Sequence, residues 1–248
     1  MNINDAIKEF VNYSKTYDMT NPTLMAEFHH TYRVVEYTKD IAKCLELSEE
    51  DTSIAILCAL LHDIARYKQH TMYKTSLDAR SFDHGDEAAN ILLKNNYISK
   101  FTTNSEEQQI ILKAVRNHNK YKIEDGLSER EEMFCKILRD ADKLDKMREQ
   151  GNTIDGIIIL NPSYIKPFQE RRLYKNHGVT GQYEVTLRVL AFVYDLNFKC
   201  SYEFVLQNHI IEDKIDLIMS HCSSIGILEY LRKILLEYVN ERIEELSK

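Results

Sequence analysis

Several histidines and aspartates in this chain fall where helical spacing turns them toward a core rather than toward water. His30 shares its helix face with Val34, Tyr37 and Ile41, whereas His29 shares its face with Arg33, Glu36 and Asp40, so His30 is expected inside and His29 outside. The same count groups His118 with Ile111, Ala114 and Val115. Along "KILRDADKLD" the apolar stripe of Phe134, Ile137, Leu138 and Ala141 carries Asp142 at its margin and Asp145 beside it, with Asp140 on the far side. In "ALLHDIARYKQ" a fully apolar run ends in the doublet His62-Asp63, and His84 opens a further helix next to Gly85.

Taken singly, each of these residues has an ordinary reading: a backbone carbonyl satisfies a core histidine, and an arginine satisfies an inward aspartate. Taken together, four inward histidines (His30, His62, His84, His118) and two aspartates (Asp63, Asp142) would be costly to bury without compensation, and a divalent cation compensates several of them at once. Nitrogen and oxygen donors without thiolate suit Mn, Fe, Ni, Co or Zn, with Mg a further fit. One or two such ions are expected. The five cysteines are scattered and form no CxxC pair, so neither a disulfide framework nor a thiolate zinc site is indicated.

The elements that must position these groups read as helices throughout. Only seven Gly and three Pro interrupt 248 residues, too few breakers for a sheet protein, and the fold class expected is all-α. Helices are predicted from Ile3 to Ser14 and from about Thr23 to Leu45. A third opens behind Ser48 and runs through the doublet. Further helices are predicted from near Asp83, behind a Ser105 to Gln108 capping box, and from about Ser128 to Gly151. "IDGIIIL" fits a short strand or a buried helix equally, and about four more helices follow Pro162. A net charge of -7 disfavours a long polyanion as partner. No membrane-spanning segment or signal peptide is apparent, so a cytoplasmic protein is expected.

The succession His30, His62-Asp63, Asp142 resembles the H…HD…D signature of the HD-domain metal-dependent phosphohydrolase superfamily. "HTYRVVEYTKDIA" is similar to its first helix, "ALLHDIAR" to its second motif and "ILRDADKLD" to its last. The resemblance implies an HD-domain helical bundle over residues 1–150 that holds the metal. Residues 151–248 then form a C-terminal helical extension packed on the same domain. His84 and His118 lie where two-metal members, including the HD-GYP phosphodiesterases, carry extra ligands, which implies a dinuclear site with Asp63 as the bridge. Two departures, Asn119 after His118 and the lack of a GYP segment, argue against cyclic dinucleotide specificity.

The activity so implied is hydrolysis of a phosphate ester, of a nucleotide or another small phosphorylated metabolite, by a metal-activated hydroxide. Arg66, one turn past His62, is in reach of a phosphate with bidentate geometry. Lys120, Lys122 and Lys143 stand next to ligand candidates, and of these Lys120 and Lys143 join Arg66 as expected phosphate contacts. Asp63, Arg66 and Asp145 are the expected catalytic residues, Asp145 by orienting water or a ligand histidine. Tyr67 and Tyr73 could stack on a nucleobase. Two other readings keep part of this: an HD-type diiron oxygenase, and a nonenzymatic nucleotide-binding regulator whose C-terminal helices serve partners or a homodimer.

Overall fold

The computed structural model describes residues 2–174 and 181–248. The chain divides into two compact units, Met1–Asp142 and Lys143–Lys248. Among the described residues every regular element is helical, and the one β-type pairing is an isolated bridge between Ile158 and Cys222. The all-α fold follows.

In the first unit α1 spans Ile3–Ser14, α2 Pro22–Cys44 and α3 Glu49–Leu61. Each begins where the sequence supplies a side-chain acceptor: Asn2 receives the N–H of Asn4, Asn21 that of Thr23, and Ser48 that of Asp51. Glu49, Glu50 and Asp51 add negative charge to the positive end of α3. From Ile54 to Leu61 no residue of α3 is more than 7% exposed. This helix is therefore the core rod, packed against α1 and α2, and against α6 (Ser105–Asn117). Each Leu or Ile fully buried along it stabilises the fold by about 1.5–3 kcal/mol.

The expected single helix through the His62-Asp63 doublet is in fact two. α3 ends at Leu61, and α4 runs from Ile64 to Tyr73. Asp63, at φ -105 and ψ 20, turns the chain between them. A straight helix would separate consecutive side chains by about 100°. The turn removes that constraint. α5 (His84–Leu93) begins behind Asp83, which accepts the N–H of Asp86, and packs on α4 and α6. The N-cap of α6 is Asn104, not Ser105: its side chain takes the N–H groups of Glu106 and Glu107.

The last HD-type segment lies on α7 (Glu129–Glu149). Between Ile137 and Asp145 this helix is buried on every side, so Asp140, expected on the far side from the apolar stripe, is buried as well. An amphipathic count cannot find an outward face where none exists.

The second unit begins within α7 and continues through α8 (Lys166–Gln169), α9 (Gln182–Leu190), α10 (Lys199–Gln207), α11 (Ile210–Met219) and α12 (Ile225–Glu245). Gly151 follows α7 at φ +67, and a Cβ there would stand 2.7 Å from the Thr186 Cα. Only glycine fits that approach. Lys214 is buried and donates to the Gln150 carbonyl and to Asn152 Oδ1, each at 2.6 Å. Burial pulls its pKa down to about 8. The ambiguous "IDGIIIL" segment forms neither a helix nor a named strand: Ile158 is buried at the bridge, while Ile157 and Ile159 stand in solvent. No described helix is long and apolar enough to cross a membrane.

Candidate metal centre

His30 comes from the buried face of α2, and His29 is exposed. His62 and Asp63 come from the turn between α3 and α4, His84 from the first residue of α5, His118 from the end of α6 and Asp142 from α7. All six are buried; His30 is the most accessible at 8%. The fold brings them to one place.

Two clusters share Asp63. In the first, the Nε2 atoms of His30 and His62 are 3.2 Å apart, and Asp63 Oδ2 lies 3.5 Å from the former and 3.3 Å from the latter. Asp142 Oδ1 closes this cluster at 3.1 Å from His30 Nε2. In the second, the Nε2 atoms of His84 and His118 are 3.0 Å apart, and Asp63 Oδ1 is 3.5 Å and 3.4 Å from them. Each cluster contains at least three donor atoms that can hold a metal ion. Bonds of about 2.1 Å at 90–109° separate adjacent ligand atoms by roughly 3.0–3.4 Å, close to the spacings seen.

The protonation pattern fits a cation. His62 Nδ1 donates to the Ala59 carbonyl (2.7 Å), His118 Nδ1 to the Val115 carbonyl (2.6 Å) and His84 Nδ1 to Asp78 Oδ2 (2.6 Å). A neutral ring with Nδ1–H carries a bare lone pair on Nε2. Burial holds His118 neutral, pushing its pKa down to about 3. The Nε2 atoms of His84 and His118 therefore face each other with no ring proton between them, beside the buried Asp63 Oδ1. Burial alone would raise the Asp63 pKa, but the surrounding imidazoles and the Arg66 guanidinium outweigh it and hold the carboxyl well below its usual range. These residues fit a divalent ion in each cluster.

Arg66 is buried beside the second cluster. Its Nε is 3.5 Å from Asp63 Oδ1, its Nη2 donates to His84 Nε2 (3.2 Å), and its Nη1 donates to Gln69 Oε1 (2.6 Å) and the Ser76 carbonyl (2.8 Å). The lysines expected as phosphate contacts each pair with carboxylates. Lys120 is held between Asp83 (2.6 Å) and Asp86 (2.7 Å), and Lys143 pairs with Asp195 (2.7 Å). Lys122 pairs with Asp125 in solvent. Asp145 is buried on α7. Tyr67 is packed among Phe10, Tyr13 and Tyr17 with no exposed surface, whereas Tyr73 is 45% exposed with its edge against Phe82.

Sequence spacing did not single out three supporting groups. Arg139, on α7, donates to the carbonyls of Asn117 and Lys120 at 2.7 Å each and so fixes the chain on both sides of His118. Gly85 lets α5 approach α6: an added Cβ would lie 2.4 Å from Asn119 Oδ1 and 3.0 Å from the Arg116 carbonyl. Asp78 opens a three-residue 3-10 turn, Asp78–Arg80, too short for any periodicity to mark it. A pairing of His70 with Glu27 (3.4 Å) lies on α4 and α2, seven residues beyond Asp63 and three before His30.

Residues 28–147, just under half of the chain, match the family model of the HD domain. No curated protein and no solved structure gives a significant match. The matched span begins two residues before His30 and ends five after Asp142, and so contains both clusters whole. Residues 28–147 are therefore an HD domain, the domain of a superfamily whose members are in general metal-dependent hydrolases.

Proposed function

We propose that this protein is a phosphohydrolase that cleaves the phosphate ester of a nucleotide or another small phosphorylated metabolite, using two divalent transition-metal ions. The observation that carries the reading is the sharing of Asp63: one carboxylate oxygen faces each cluster of imidazole lone pairs. That division suits two neighbouring ions. When bound, such ions supply Lewis acidity toward a phosphoryl oxygen and lower the pKa of a water between them.

The chain's own residues supply the rest. His30, His62, Asp63 and Asp142 would hold one ion, and Asp63, His84 and His118 the other. Two carboxylates against the single charge of Arg66 leave the neutral-histidine site with a net negative charge, which favours dications over monocations. Arg66 is the group offered to a phosphate, because its Nη2 lies at the second cluster and makes one of its two hydrogen bonds there. Lys120 and Lys143 pair with carboxylates that are not ligand candidates, Asp83, Asp86 and Asp195, whereas Arg66 stands at the cluster itself and is the first group assigned to this contact. Tyr73 is the ring left exposed for a base; Tyr67 has no free face.

The test is phosphate release from a panel of phosphate esters and nucleotides, with the metal found in the purified protein supplied. Turnover is expected, and His62→Ala and Asp63→Ala should reduce it more than about a hundred-fold while the fold is retained. Dioxygen consumption by an iron-loaded protein without phosphate release would replace this reading with an oxygenase. Nucleotide binding with no turnover under any metal would replace it with a regulator.

A further inference from the structure

Asp78 belongs to none of the segments that resemble HD motifs, yet it meets four groups at the second cluster: His84, Asn119, Gln69 and Arg66. Its Oδ2 accepts from His84 Nδ1 at 2.6 Å and from Asn119 Nδ2 at 3.2 Å. Its Oδ1 accepts from Gln69 Nε2 at 3.0 Å and stands 3.4 Å from Arg66 Nη1. Gln69 in turn ties the segment together, donating to Ser81 Oγ at 2.7 Å. One carboxylate thus meets α4, α5 and the residue that follows His118. Among the described residues no comparable side chain stands behind His62 or His118, whose Nδ1 atoms rest on backbone carbonyls within their own helical turns.

Two consequences follow for His84. Its ring sits at the first position of α5, where the backbone ahead of it is irregular and does not fix its orientation. The bond to Asp78 does so, and it holds the proton on Nδ1 so that Nε2 points its lone pair at His118 and Asp63. A carboxylate behind an imidazole also raises its basicity as a ligand. Arg66 competes for the same lone pair, since its Nη2 lies 3.2 Å from His84 Nε2. Asp78, together with Gln69 Oε1 and the Ser76 carbonyl, anchors the other arm of the guanidinium. Of these three only Asp78 is charged, so it balances the pull of Asp63 on the guanidinium toward the space between His84 and Asp63, where an ion would otherwise bind.

We infer that Asp78 is the positioning residue that decides whether this chain holds one ion or two, by committing His84 to the second cluster and restraining Arg66 from it. The inference rests on the two-ion reading above. It is tested by titrating metal-stripped wild type, Asp78→Ala and Asp78→Asn with MnCl2, counting bound Mn by electron paramagnetic resonance. ¹⁵N-imidazole NMR of the metal-free proteins supplies a readout that needs no ion. Wild type should bind two ions and show His84 as the Nδ1–H tautomer. Asp78→Ala should bind the first ion with unchanged affinity and the second about 10–100-fold more weakly, with a mixed His84 tautomer. Asp78→Asn, which keeps an acceptor but not the charge, should fall between and serves if the alanine variant does not fold. Two ions in wild type with both variants unchanged, or with both ions weakened equally, would overturn the role of Asp78 and leave the two-ion reading standing. One ion in wild type would overturn both.

Discussion

Acidifying the metal-free protein from pH 7.5 to pH 5.0 should destabilise it by about 2 kcal/mol through His118 alone. This ring is 1% exposed, and burial holds its folded-state pKa at about 3, against about 6.5 in an unfolded chain. Below pH 6.5 the unfolded state takes up a proton that the folded state refuses. The stability tied to a neutral His118 is therefore complete above pH 6.5 and is lost progressively as the pH falls toward 3. Asp63 does not confuse this window. Its pKa lies well below the ordinary carboxylate range, burial being outweighed by His62 and Arg66, so the stability it contributes is constant above about pH 5 and declines only in stronger acid. Urea unfolding of chelator-treated protein at the two pH values measures the difference, and His118→Gln isolates the contribution. The loss in the variant should be smaller than in wild type by about 2 kcal/mol. Parallel pH dependences in the two proteins would refute the placement of a neutral, buried imidazole at this position.

Two further outcomes follow from the groups that hold the site in shape. Gly85→Ala places a methyl 2.4 Å from Asn119 Oδ1 and 3.0 Å from the Arg116 carbonyl; the side chain can turn away but the carbonyl cannot, so a loss of about 1–3 kcal/mol is expected in thermal melts, with weaker binding of the second ion in calorimetric titration. Arg139→Met removes the donors to the carbonyls of Asn117 and Lys120 and should cost about 3 kcal/mol in urea unfolding, with a broadened His118 signal in imidazole NMR as the local readout.

Helical periodicity located His30 and separated it from His29 because α2 has one buried face and one wet one. It failed for Asp140, since α7 is buried all round between Ile137 and Asp145 and such a helix carries no amphipathic signal. The break at His62-Asp63 was equally hidden. Apolar residues continue on both sides, from Leu61 to Ile64 and Ala65, and only the backbone angles of Asp63 end α3. That break lets Asp63 serve both clusters, so the feature least legible in the pattern is the one the site depends on most. Asp78 lies in a three-residue 3-10 turn, where its neighbours in sequence say nothing about its neighbours in space. Arg66, Lys120 and Lys143 could be picked out as cations, but their partners come from distant residues: Asp78 and His84, Asp83 and Asp86, and Asp195. Spacing along one helix cannot reveal a partner on another.

The most direct measurement is the number of transition-metal ions per chain by elemental analysis, made on wild type, His30→Ala and His84→Ala after equilibration with excess ion and removal of the unbound fraction. Two ions in wild type and one in each variant is the expected result, each substitution emptying its own side of Asp63. A wild-type protein free of divalent metal under these conditions would contradict the assignment of the paired clusters as a metal centre.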